Sequence, residues 1–279
     1  MLSCPSPLLA QAFLAQLQWA PAVLVQVVQT QGSVPREVGT WMAVFEADAL
    51  GTIGGGHLEY QAVAVARARL LGQAAGADPA PDGAVPVRYA LGPALGQCCG
   101  GVVFLRYEAV TALDLPTLAQ RLAPRLQPVA LFGAGHVGHA LVRVLAALPF
   151  ALTWVDSRDS VFPADLPPGV VCEYSDPVQA AVANLQPQSR VLVMSFSHAE
   201  DLEVIAACLK RQREQSDLGF IGLLGSKTKW ATFRQRLLQR GFAEDELAGV
   251  TCPVGVPGIA GKDPEVIAVA VAAQLLQSC

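Results

Sequence analysis

The stretch that most constrains this chain is residues 128–156. Pro128-Val129-Ala130-Leu131-Phe132 is a short apolar run suited to a buried parallel strand, and Gly133-Ala134-Gly135-His136-Val137-Gly138 follows at once. An apolar-periodic segment then runs to Leu148, and a second strand-like run, Ala151 to Val155, ends on Asp156. A strand, a GxGxxG turn, a helix and an acid at the end of the next strand form the fingerprint of a dinucleotide-binding, Rossmann-like unit. The first glycine permits the tight turn, the second lets backbone approach a phosphate, and the third lets helix and strand pack closely. Gly133, Gly135, His136 and Gly138 are therefore expected to face an anion at the helix N-terminus. Asp156 is expected to accept a ribose hydroxyl. Occupancy by a nucleotide such as NAD(P) is a separate claim that a fold fingerprint does not establish.

A length of 279 residues suggests two domains, each with a sizeable core. Hydrophobic residues make up 52% and charged ones 15%, so extensive burial or a subunit interface, as in a homodimer, is expected. The net charge is −4 and no basic run occurs, which argues against nucleic acid and anionic membrane as partners. No apolar run approaches the roughly 18 residues of a spanning helix, and Met1 to Ala20 lacks the basic start of a signal peptide. A cytoplasmic location is expected. Seven cysteines without framework spacing read as free thiols, and the absence of CxxC and HExxH argues against structural zinc.

Taken in order, residues 1–111 read as an N-terminal mixed α/β domain, residues 112–127 as a linker, and residues 128–279 as a doubly wound parallel sheet. Leu8 to Trp19 has helical spacing, Ala22 to Gln29 and Trp41 to Phe45 read as strands, and Ala47 to Leu50 reads as a turn. Thr30 to Gly39 is a polar loop holding Arg36. Gly51-Thr52-Ile53-Gly54-Gly55-Gly56 precedes a helix opened by His57-Leu58-Glu59. Consecutive glycines before a helix expose amides to one point, so Gly54, Gly55 and Gly56 form a candidate nest for a phosphate, with Arg36 as an added clamp. A tight packing turn is the plainer reading. His57 and Glu59 are candidate ligand contacts, although a carboxylate is favourable in a first helical turn in any case. Val87 to Ala90 and Val102 to Tyr107 read as strands flanking Leu95-Gly96-Gln97-Cys98-Cys99-Gly100-Gly101. Adjacent thiols in a glycine-bounded turn make Cys98 and Cys99 candidate ligands, against two small buried side chains beside a bulge.

Beyond Asp156, Val170 to Tyr174, Arg190 to Met194 and Leu218 to Leu223 read as strands. Pro177 to Leu185, Asp201 to Arg213, Lys229 to Arg240 and Pro264 to Gln277 read as helices. His198 follows a strand's carboxyl end, where doubly wound sheets bind ligands; it is either a ligand contact or a helix cap. Gly225-Ser226-Lys227 lacks the leading GxxxxG of a phosphate loop, so a P-loop NTPase is rejected.

Three blocks together resemble the XdhC/CoxI family of molybdoenzyme accessory proteins. They are Gly32-Ser33 with Pro35-Arg36, Gly51 to Gly56 and Leu58-Glu59; Leu95 to Gly101 with its double cysteine; and Ile221 to Lys227 with Pro257-Gly258-Ile259. The resemblance is closest to the XdhC branch, because the CoxI-like branch carries cysteine after the glycine run where this chain has His57. It implies an accessory protein rather than an enzyme: a chaperone that binds the molybdenum cofactor (molybdopterin), holds it during sulfuration by a cysteine desulfurase, and delivers it to apo-xanthine dehydrogenase. Other molybdenum cofactor biosynthesis proteins are implied as partners. The cofactor's phosphate suits either glycine turn, and the soft thiols of Cys98 and Cys99 suit molybdenum or a sulfur in transit. An NAD(P)-dependent oxidoreductase is the alternative from the fingerprint alone, although no proton donor beyond His198 stands out. A pure scaffold with an empty Rossmann unit is the third.

Overall fold

A computed structural model describes residues 7–72, 85–92, 100–123 and 126–277. The chain divides into two compact units, Met1–Arg125 and Leu126–Cys279. Among the described residues, no helix is long and apolar enough to cross a membrane.

The first unit contains α1 (Pro7–Leu17), β1 (Ala22–Gln31), β2 (Trp41–Val44), β3 (Ala49–Gly51), α2 (Gly56–Leu70), β4 (Val87–Ala90), β5 (Val102–Val110) and α3 (Leu115–Arg121). Its strands form one antiparallel sheet in the order β3-β2-β1-β5-β4. Successive side chains of a strand face opposite ways, and β1 uses both faces. Val23, Val25 and Val27 share a core with Leu58, Ala62 and Ala66 of α2. Ala22 and Leu24 pack with Phe13 and Leu17 of α1 and with Leu118 and Leu122. Most of the stretch expected to be a linker thus folds with this unit, because Leu118 and Leu122 complete the core beneath α1. Of residues 47–50, read as a turn, Ala47 and Asp48 lie outside any strand, while Ala49 and Leu50 enter β3, whose Ala49 to Gly51 pair with Val44 to Met42.

The second unit contains β6 (Gln127–Phe132), α4 (His136–Leu145), β7 (Phe150–Asp156), β8 (Val170–Tyr174), β9 (Arg190–Val193), α5 (His198–Gln215), β10 (Phe220–Leu223), α6 (Lys227–Gln239), α7 (Glu244–Ala248), β11 (Val250–Thr251) and α8 (Pro264–Gln277). The helix expected over Pro177 to Leu185 is a 3-10 helix, Val178–Asn184. The strand order is β11-β10-β9-β6-β7-β8, with every pair parallel. Counted from β6, this is the doubly wound order 3-2-1-4-5-6 read from the other edge, which reverses direction between β6 and β9. The central strands β6, β7, β9 and β10 are largely buried because helices cover both faces of the sheet. Ala140, Leu141 and Leu145 of α4 and Val271 and Leu275 of α8 pack on one face. Leu202, Ile205 and Leu209 of α5 and Phe233 and Leu237 of α6 pack on the other.

Candidate ligand-binding site

In the first unit the glycine run lies at the end of the sheet where β1 finishes and β5 starts, since Gln31 pairs with Val102. Three geometric constraints hold this end together. A Cβ on Gly54 would lie 2.6 Å from Pro35 Cγ, and one on Gly101 would lie 2.4 Å from the Ser33 carbonyl oxygen. Gly54, Gly55 and Gly56 all take positive φ, at 126°, 74° and 63°, which side chains disfavour. The loop carrying Arg36 is therefore packed against the glycine run, with Arg36 itself exposed.

The nest is filled from within. Glu59 Oε2 accepts hydrogen bonds from the Ile53 amide (3.0 Å), the Gly55 amide (3.0 Å) and the Thr52 hydroxyl (2.5 Å). The Gly54 amide is directed to Thr52 Oγ1 at 3.2 Å. Amides that the sequence offered to a phosphate thus serve the chain's own carboxylate, which reaches back from the first turn of α2. His57 is exposed beside them, its ring stacked on that of Tyr60 at 6.0 Å. Cys98 and Cys99 lie outside the described residues. Among the described residues, no group of three or more His, Cys, Asp or Glu could hold a metal ion. The cysteines that are described, Cys172, Cys208 and Cys252, are free. Burial raises all three thiols, that of Cys208 to about 12, so none is poised as a thiolate.

The second unit presents its glycine turn at the β6/β9 switch point. Gly133 takes φ 123°, and a Cβ there would lie 2.1 Å from the Met194 carbonyl oxygen. A Cβ on Gly138 would lie 2.3 Å from the Gly133 carbonyl oxygen, which also accepts from the Trp154 indole at 3.0 Å. Gly135 differs: it is exposed, and nothing lies within 4 Å of where its Cβ would be. It is the N-cap of α4, and no side chain caps the helix. The amides of the first turn, His136 included, are consequently presented toward the open side of Gly135, with the helix dipole behind them.

Asp156 is not available to a ribose. It is 1% exposed, and both oxygens are engaged. Oδ2 accepts from the Ala134 amide (2.7 Å) and Arg158 Nη2 (2.9 Å), while Oδ1 accepts from the Arg158 amide (2.9 Å) and Nε (2.8 Å). Burial pushes this carboxyl up, but the Arg158 side chain and the two amides outweigh that and leave its pKa below the ordinary range. The expected sugar-binding acid is an internal clasp, because Arg158 satisfies it first.

Arg158 continues across the crevice. Its guanidinium lies over the Phe196 ring at 4.7 Å, and the neighbouring Ser157 hydroxyl donates to Glu200 Oε1 at 2.5 Å. Loops following β7 and β9 thereby meet in front of the β6 turn. The sequence reading missed Ser157, Arg158 and Glu200, although an arginine two residues after a strand-end aspartate is a visible signal for such a clasp. His198 opens α5, but the cap is Ser197, whose hydroxyl accepts from the Glu200 amide at 3.2 Å. The His198 ring makes an edge contact with Phe233 at 6.2 Å. Further along the edge, buried Asp201 accepts from the Ser195 amide and hydroxyl, both at 2.7 Å, and from Lys229 Nζ at 2.5 Å. Ser226 caps α6 through the Lys229 amide, so the Gly225-Ser226-Lys227 motif is a helix start.

Residues 129–275 match the model of the XdhC Rossmann domain, and residues 16–77 match that of the XdhC and CoxI family. An Escherichia coli (strain K12) relative, the uncharacterized protein YqeB, is 29% identical over 271 residues, covering 93% of this chain and 44% of its own length. The chain thus spans less than half of that curated relative. A Bacillus halodurans crystal structure described as a xanthine dehydrogenase superposes with a TM-score of 0.75 at 20% identity, covering 96% of this chain and 95% of the other. That likeness concerns the fold. With both family domains found in order, one on each compact unit, the chain belongs to the XdhC and CoxI family.

Proposed function

We propose that this chain is an accessory protein that binds the molybdenum cofactor, holds it during sulfuration and passes it to a molybdoenzyme of the xanthine dehydrogenase class. The observation that carries this reading is the uncapped start of α4 at the switch point of an XdhC-type Rossmann unit. Molybdopterin ends in a phosphate, and the exposed Gly135 edge with the first-turn amides of α4 suits that group. The glycine nest of the first unit suits it less, since Glu59 already holds two of its amides. Cys98 and Cys99 are proposed as the sulfur ligands for molybdenum or for a sulfur supplied by a cysteine desulfurase. The further partners proposed are molybdenum cofactor biosynthesis proteins and a second copy of the chain, in the cytoplasm. An NAD(P)-dependent oxidoreductase has less support, because the acid it would use for the ribose is committed to Arg158.

Fluorescence analysis of oxidised pterin released from protein made in a molybdopterin-producing host tests this. The expected result is stoichiometric pterin with molybdenum, reduced in the Cys98→Ala/Cys99→Ala double variant. Absence of pterin from the folded parent protein would overturn the reading, and full retention by the double variant would remove the thiols from it.

A further inference from the structure

Behind the start of α4 lies a charge that would repel a phosphate. Asp156 sits at the back of the glycine turn, 1% exposed, and its Oδ2 accepts from the Ala134 amide at 2.7 Å. Its lowered pKa keeps it ionised at neutral pH. Glu200 adds a second carboxylate, tied to the loop after β7 through Ser157. Arg158 is the cation that answers both: it hydrogen-bonds to Asp156 and feels the field of Glu200. Arg158 Nη2 and the Ala134 amide meet on the same oxygen, Asp156 Oδ2, so the guanidinium stands at the turn itself. Ala134 immediately precedes Gly135, the N-cap of α4. The guanidinium is held there on two sides, by its fork on Asp156 and by the Phe196 ring at 4.7 Å. Its Nη1 donates to nothing among the described residues, and the side chain is 36% exposed.

We propose that Arg158 is a specificity-determining residue of the α4 seat: it offsets the buried carboxylate behind the glycine turn and so admits a dianionic phosphate monoester. This rests on the cofactor-binding reading and names the group that makes the seat acceptable to that ligand's charged end. Opposite charges held side by side largely cancel at a distance, whereas a single charge does not. With Arg158 in place, a phosphate at the first-turn amides meets the helix dipole and a neutral pair. Without it, the same phosphate meets the dipole and an uncompensated Asp156. The Ala134 amide keeps its acceptor in both cases, so the shape of the turn and its charge can be varied separately. A dianion feels the difference about twice as strongly as a monoanion, which favours a phosphate monoester over a diester.

The test is calorimetric titration of the full-length protein, freed of bound pterin, with inorganic phosphate at low and high salt. Pterin analysis of the same proteins from a molybdopterin-producing host runs beside it. At low salt Arg158→Gln is expected to weaken phosphate on the order of tenfold, and Arg158→Lys to stay within about threefold of the parent. Asp156→Asn should strengthen phosphate on the order of tenfold even though it destabilises the fold. The double variant Asp156→Asn/Arg158→Gln carries neither charge and should return to within about threefold of the parent. High salt should compress all of these differences. A purely structural role predicts weaker binding in Asp156→Asn and no recovery in the double variant. Should Arg158→Gln fail to fold, Asp156→Asn and the double variant carry the same test. Equal phosphate affinity in every protein, or a loss in Asp156→Asn, overturns the proposal, as does phosphate binding by none of them with no pterin retained. Pterin held by the parent, lost by Arg158→Gln and recovered in the double variant supports it for the cofactor itself. Charge-ordered phosphate binding without any pterin keeps the role of Arg158 and removes the molybdenum cofactor reading. Equal pterin in the parent and Arg158→Gln sinks the role of Arg158 and leaves that reading standing.

Discussion

Two glycine turns in this chain look alike in sequence and have opposite fates. Gly54 to Gly56 and Gly133 to Gly138 each run into the start of a helix, and each has a carboxylate drawn to its amides. In the first, Glu59 lies in the helix that the turn starts, and it takes two amides and a hydroxyl. In the second, Asp156 comes from the next strand and takes the Ala134 amide only, turning its remaining capacity to Arg158. One carboxylate fills its nest; the other braces the turn from behind and leaves the helix start exposed. Glycines at a helix start therefore say that a chain can present amides, and the position of the nearest acid decides what receives them.

Substitutions can break this contrast. The largest effect is expected at Gly133→Ala, where a positive φ and a 2.1 Å approach to the Met194 carbonyl combine. It should destabilise the second unit by about 3 kcal/mol or more, read by chemical denaturation. Glu59→Ala should cost about 1–3 kcal/mol, because partly buried amides lose their acceptor. It should also turn the first unit's nest into an anion site, so that added phosphate raises the melting temperature of the variant more than that of the parent. Equal phosphate responses would show that the nest collapses instead.

Asp156→Asn is expected to cost on the order of 1–3 kcal/mol at neutral pH, with a distinctive pH dependence. Folding lowers this carboxyl's pKa below its ordinary 3.8, so its contribution is full above that value and is lost as pH falls through the folded pKa. The stability gap between parent and variant should hold from neutral pH to about pH 5 and shrink below pH 4, as followed by urea unfolding. The smallest structural effect is expected at Gly135→Ala. Its φ of −85° is ordinary and its Cβ direction is open, so stability should stay within about 0.5 kcal/mol.

Much of the second unit was legible because its signals are local. An apolar run, a GxGxxG turn, an amphipathic helix and a strand ending on Asp156 lie within 29 consecutive positions, residues 128–156, and each constrains the next. The small elements were not legible: β3 has three residues, and α7 with β11 spans Glu244 to Thr251, too short for periodicity to rise above turn composition. The sheet of the first unit was harder still, since its strand order depends on pairings such as Val23 with Ala109, far apart in sequence. In the site, the glycines could be named but their occupants could not. Whether Glu59 contacts a ligand or caps its own helix is decided by a reach of four to six residues that composition does not reveal. The role of Arg158 depends on a side-chain fork closing on a carboxylate two residues away. Glu200 was invisible because its partner, Ser157, comes from another strand's end.

The start of α4, and not the glycine nest of the first unit, is the proposed seat of the ligand's phosphate. His136 is the first residue of α4 and follows an extended Gly135, a position that accepts proline without disturbing a helix. His136→Pro removes one amide donor and the imidazole, and His136→Ala removes the imidazole alone. The decisive measurement is the pterin content of these two variants, each shown to melt like the parent, after expression in a molybdopterin-producing host. The alanine variant is expected to keep its pterin and the proline variant to lose most of it; full retention by His136→Pro would contradict a phosphate seat at the start of α4.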